Sequence, residues 1–167
     1  MANWCRGILK IRGTRENLVK FLKEDVICFC REKQSDGKYK SVEIPLLNVK
    51  CEEDVIEIEE QQVDASSIKY FLKYLGVRIN DVLKHEAYKR EDDMYIVAFD
   101  FETKWGLRLE SFVEFSQTYG FDIKGKFYEC GMEFTQEIEV IGGTLVLWKV
   151  TKYKDYEWEC ENPYWGG

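Results

Sequence analysis

Residues 95–150, YIVAFDFETKWGLRLESFVEFSQTYGFDIKGKFYECGMEFTQEIEVIGGTLVLWKV, carry the strongest architectural signal in the chain. Tyr95, Val97, Phe99 and Phe101 alternate with Ile96, Ala98, Asp100 and Glu102, which predicts a strand covered on at least one side. Trp105-Gly106 breaks the pattern. Leu109, Phe112, Val113 and Tyr119 then recur at helical spacing, and Gly120 stands where a left-handed residue closes a helix. Phe121, Ile123 and Phe127 resume alternation against Asp122, Lys124 and Lys126. Cys130-Gly131 turns the chain into a run through Met132, Phe134, Ile138 and Val140. Gly142-Gly143 predicts a two-residue hairpin, because both central residues of a type I′ turn need φ > 0. Thr144 to Val150 is the returning strand.

Toward the N-terminus, Asn3 to Arg12 predicts a first strand with Cys5, Gly7, Leu9 and Ile11 on one face. Thr14 is positioned to cap a helix whose apolar stripe is Leu18, Phe21 and Leu22. Val26 to Cys30, Tyr39 to Leu47 and Val49 to Gln61 predict further strands, with a turn at Ser35-Asp36-Gly37. Asp64-Ala65-Ser66 predicts a second cap, and Ile68, Phe71, Leu72 and Leu75 a second helix closed by Gly76. Asn80 to Tyr88 reads as another helix. Strand, helix, strand pair, then strand–helix–strand predicts an α+β protein with helices packed on one face of an antiparallel sheet. We expect a single domain over residues 1–167 with a β-rich and helical insertion at about 26–93.

Hydrophobic residues make up 45% of the 167 positions and only two are proline, so the chain is expected to fold into a core. The net charge is −7. Phosphate-driven binding depends on Lys and Arg, so this balance argues against a general nucleic-acid coat and favours a partner with a basic surface. No apolar run reaches the length of a membrane span, and Met1-Ala-Asn-Trp-Cys-Arg is unlike a secretory leader. A cytoplasmic protein with its six cysteines reduced is the expectation.

The opening Met-Ala-Asn-Trp-Cys before a strand and Gly-Thr resembles the YubB-like ferredoxin-fold family. Phe101-Glu102-Thr103-Lys104-Trp105 is similar to that family's Thr-x-Trp segment. Tyr119-Gly120-Phe121 and Tyr128-Glu129-Cys130-Gly131-Met132-Glu133-Phe134 resemble its Tyr-Glu-x-Gly-x-x-Phe run. The resemblance implies a ferredoxin-like fold carried by phages and other mobile elements, acting inside a host bacterial cell. It implies no catalytic residues.

The candidate chemistry is sparse. Cys28 and Cys30 share a strand face, but structural zinc normally takes a Cys knuckle and a second pair, so small buried thiols are expected. His85, the single histidine, lies in a charged stretch and reads as an exposed helix residue. Trp4 and Trp105 flank core strands and are expected to pack a sheet edge. No glycine-rich phosphate loop followed by Lys-Ser/Thr occurs. We therefore expect no enzyme, no cofactor and no metal. Two acidic segments remain, and Glu57, Glu59, Glu60, Asp155, Tyr156, Glu157, Trp158 and Glu159 are the expected contact residues. Their carboxylates would imitate nucleic-acid phosphates, and their rings would anchor an interface. With the resemblance, this implies an anti-CRISPR-like host-defence inhibitor that binds a host protein such as a nuclease effector. The alternative is a single-stranded nucleic-acid or nucleotide-binding module, using Tyr95, Phe99 and Phe101 with Lys124, Lys126, Lys149 and Lys152.

Overall fold

The structure, a computed structural model, describes residues 3–61 and 69–167. Strand β1 (Trp4–Thr14) has the alternation its sequence predicts: Cys5, Gly7, Leu9 and Ile11 are buried, and Arg6, Ile8 and Lys10 between them are not. Thr14 caps helix α1 (Arg15–Glu24), its hydroxyl accepting from the Asn17 amide at 3.4 Å. Strands β2 (Val26–Lys33), β3 (Tyr39–Pro45), β4 (Leu47–Cys51), β5 (Val55–Glu60), β6 (Lys69–Leu72), β7 (Val77–Val82) and β8 (Glu86–Tyr88) follow. Strand β9 (Met94–Lys104) leads to helix α2 (Leu109–Tyr119), then β10 (Asp122–Glu129), β11 (Phe134–Ile141), β12 (Thr144–Lys152) and the single turn α3 (Tyr156–Glu159). Gly120 ends α2 at φ 67°, and Gly142 and Gly143 turn the β11–β12 hairpin at φ 55° and 74°.

Among the described residues, nine strands form one antiparallel sheet in the order β12-β11-β10-β1-β9-β7-β6-β2-β3, and β4-β5-β8 form a second. One face of the large sheet is dry. Phe21 from α1 and Phe115 from α2 meet at 5.4 Å between ring centroids, with Phe99 and Phe121 packed against Phe21. Phe101 meets Phe127 edge-on at 4.6 Å. Gly125 makes room for the Phe127 ring, since a Cβ there would lie 2.4 Å from it. Ile56, Ile58 and Leu47 of the small sheet join this same core, so the small sheet lies on the helix side.

The expected ferredoxin-like fold is overturned. The protein is mostly β, 53% strand and 16% helix. The strands of residues 26–93 are divided between the sheets: β2, β3, β6 and β7 lie within the large one, and β4, β5 and β8 build the second. Both helices expected there are strands. Phe71 and Leu72 belong to β6, which pairs with β2 and β7, and Leu75 lies in the turn closed by the Gly76 amide on the Leu72 carbonyl. Residues 80–88 are the end of β7, a loop and β8. The misreading rested on Val82, Leu83 and Tyr88; a bulge between Ile79 and Asp81 inserts one residue into β7 and breaks the period-two pattern, so the strand was not legible there. The cap expected at Asp64-Ala65-Ser66 and the position of Ile68 fall outside the described residues.

Asp25 closes α1 and is 4% exposed. One carboxylate oxygen accepts from the Tyr74 amide at 2.7 Å, and the other has no hydrogen-bond partner among the described residues. Burial raises its pKa to about 6, against the opposing pull of that amide and of Lys73.

Candidate functional site

Alternation along the central strands gives the large sheet a second face unlike the first. β1 turns Arg6, Ile8, Lys10 and Arg12 to it, β10 turns Lys124, Lys126 and Tyr128, and β9 turns Asp100 and Glu102. These charges pair across strands. Arg6 holds buried Asp100 through two bonds, at 2.5 and 3.1 Å, and Asn80 adds a third at 3.4 Å. Arg78 reaches Glu102 at 2.7 Å, and Arg12 reaches Asp122 at 2.6 Å. Lys124–Glu139 and Lys149–Glu137 each span 3.6 Å. Hydrogen bonds donated to Asp100 and Asp122 push the pKa of the Arg6 and Arg12 guanidinium groups further up.

The C-terminal segment crosses this face. Glu161 takes Lys126 at 2.8 Å and the Tyr128 hydroxyl at 3.3 Å. Trp165 lies under the Arg6 guanidinium, 5.3 Å from ring centroid to charge, and edge-on to Tyr128 at 5.6 Å. The Gly167 amide donates to the Trp4 carbonyl at 2.8 Å. This strap holds α3 in place. Tyr156 and Cys160 are buried with Tyr128 beneath them, and Tyr153 packs on Tyr156 and bonds Thr135 at 3.0 Å. Burial, with Cys160 beside it, pushes the Tyr156 phenol up. Asp155 caps α3 through the Trp158 amide at 3.2 Å.

On this anchored knuckle stand two rings that cover nothing. Trp158 is 87% exposed and Tyr164 80%. Tyr164 donates to Glu157 at 3.0 Å, and Glu159 accepts from the Lys154 amide at 3.4 Å. The result is a small, ordered surface of two rings framed by Asp155, Glu157 and Glu159.

The structure splits the expected contact residues into two groups. Asp155, Glu157, Trp158 and Glu159 come together, and Tyr156 is their buried anchor rather than a contact. Glu57, Glu59 and Glu60 lie on β5 in the small sheet, across the large sheet from α3, with Glu59 engaged by Lys50 at 3.2 Å. No single acidic surface joins the two groups. Tyr95, Phe99 and Phe101, the rings of the nucleic-acid alternative, are buried in the helix-side core and form no platform. Lys124, Lys126 and Lys149 are ion-paired. The Arg6–Asp100 pair was missed as an organiser of this face, and the charge alternation of β1 against β9 was a usable signal for it.

Two thiols are held protonated by their surroundings. Burial, with Glu129 nearby, pushes Cys5 up to about 12, and burial beside Cys30, 3.8 Å away, pushes Cys28 to about 11. His85 is exposed in the loop before β8, not on a helix. Trp105 is 69% exposed and does not pack the sheet edge. Among the described residues no group of three or more His, Cys, Asp or Glu is arranged to hold a metal ion, and no helix is long and apolar enough to cross a membrane.

Compared with protein-family models, curated proteins and solved structures, the chain matches none. The YubB-like resemblance thus stands on the quoted motifs alone.

Proposed function

We propose that this protein works by contact rather than turnover, docking the α3 knuckle on a basic surface of a partner protein. The observation that supports the reading most is the exposure of Trp158 and Tyr164, 87% and 80%, on a segment whose own backbone is firmly anchored. Large rings dominate interface energetics because they lose little conformational entropy on docking. Three carboxylates around them favour a groove that otherwise receives phosphates. The partner class that fits is a nucleic-acid-binding effector of host defence, and the expected consequence is inhibition in the manner of an anti-CRISPR protein.

The test mixes the purified protein with guide-loaded and guide-free nuclease effectors of bacterial defence and follows binding by calorimetry and cleavage by gel. The expected result is binding that suppresses cleavage and that falls at least tenfold in Trp158→Ala and in Glu157→Lys/Glu159→Lys. Equal binding by the charge-reversed protein, or no binding across the panel, overturns the proposal. Glu57→Lys/Glu59→Lys, on the far side of the large sheet, serves as the control that leaves binding unchanged.

A further inference from the structure

A cleft of about 790 Å³ lies away from the knuckle, between the β6–β7 turn and the turn that joins β9 to α2. Its charge is opposite to that of the chain. Lys73, Arg78, Lys104 and Arg108 line it against one carboxylate, Glu102, although the whole protein carries −7. Lys73 and Arg78 have acidic partners, Glu43 and Glu102. Among the described residues Lys104 and Arg108 have none within ion-pair distance, and Lys104 lies over the Trp4 ring at 5.5 Å.

Beside these two cations stands Trp105, which has φ 65° and is 69% exposed. A non-glycine residue held left-handed costs on the order of 1 kcal/mol, and such residues persist where the surroundings impose them. Here the surroundings are visible. The Trp105 amide donates to the Asn3 carbonyl at 3.1 Å, and Gln136 reaches up from β11 to accept from the Leu107 amide at 3.2 Å. Gly106 between them has φ 104°, and a Cβ there would press on the Gln136 amide at 3.1 Å. The fold thus holds a strained turn that presents an indole to solvent next to two unpaired cations. Core packing gives no reason for this, since the ring covers nothing.

We propose that this cleft binds a phosphate ester carrying a flat ring, that is, a nucleotide unit, with Lys104 and Arg108 on the phosphate and Trp105 stacked on the base. Stacking accepts any base and cations accept any phosphate, so the site is expected to be tolerant of sequence. The ligand chemistry has two sources, a free nucleotide or one unit of a single strand. The proposal is independent of the α3 contact, whose residues line none of this cleft.

The test uses the intact chain at low salt, with fluorescence anisotropy of a labelled ten-nucleotide single strand and with tryptophan quenching by AMP and by inorganic tripolyphosphate. The expected result is binding of the strand or of AMP that weakens as salt rises and that falls at least tenfold in Lys104→Glu/Arg108→Glu. Trp105→Gly keeps the turn's backbone freedom and removes the ring, and it is expected to lower affinity severalfold with no loss of thermal stability. Binding of the strand without AMP assigns a strand site, and binding of both assigns a nucleotide site. Three outcomes overturn the proposal: no binding at low salt, tripolyphosphate binding as well as AMP with Trp105→Gly unchanged, or an equal loss in Lys149→Glu/Lys152→Glu, which lies outside the cleft. None of these touches the α3 knuckle, so failure here leaves the protein-contact proposal standing.

Discussion

The two faces of the nine-stranded sheet solve the same burial problem with different chemistry. The helix side is closed by rings: Phe99, Phe115 and Phe121 meet Phe21 edge to face. The opposite side is closed by cross-strand ion pairs, Arg6–Asp100, Arg78–Glu102 and Arg12–Asp122, under a strap of C-terminal residues. Apolar burial is non-directional and scales with area, so the first face supplies stability. Ion pairs at partly exposed sites contribute little stability but fix register and orientation, so the second face supplies geometry. That division explains why Trp158, Tyr164 and the strap stand on the charged side, where a surface can be shaped without opening the core.

The difference predicts a ranked set of stability losses. Phe21→Ala removes the ring at the centre of the dry face and is expected to cost about 4 kcal/mol, read as a drop in the urea midpoint. Gly125→Ala places a Cβ against the Phe127 ring and is expected to cost about 2 kcal/mol, because overpacking displaces a buried side chain. Asp25 tests the rim of the same core through pH. Its folded pKa of about 6 lies above the usual 3.8, so the folded state holds the proton more tightly. Stability from this group therefore rises as pH falls through 6 toward 4, by on the order of 2 kcal/mol, and is lost again as pH rises. In Asp25→Asn that slope disappears from a pH series of denaturant melts; an unchanged slope refutes the assignment. The smallest effect belongs to the charged face. Lys124→Ala, which frees Glu139, is expected to change stability by less than about 0.5 kcal/mol, and high salt erases even that. A loss there that rivals Phe21→Ala would end the division of labour between the faces.

Much of the helix-side core was legible in the sequence. Strand alternation in residues 4–14 and 94–104, the Thr14 cap, the Gly120 stop and the Gly142-Gly143 turn all depend on local preference, and the structure has each of them. Residues 69–88 were illegible because a tight turn spaced Phe71, Leu72 and Leu75 like a helix and a bulge broke the alternation of β7, while ladder partners in β2 and β9 decided otherwise. The candidate site divides along the same line. The acidic knuckle at 155–159 is local and could be read. Its buried anchor on Tyr128, and its separation from Glu57 and Glu59, depend on which face each strand turns outward, and that follows only from the full strand order.

Strand β1 sits between β9 and β10, with Arg6 opposite Glu102 on one side and Tyr128 on the other. Both neighbours are made long after it. At ordinary translation speeds the strand emerges with two open edges and waits on the order of ten seconds for partners. Pairings of such long separation also slow folding, since the loop must close before any contact rewards it. Leu9 and Ile11, buried in the finished sheet, lack these strand neighbours during that wait. The yield of folded protein is therefore expected to respond to synthesis rate and to holdase chaperones, read as the soluble fraction after expression with and without them.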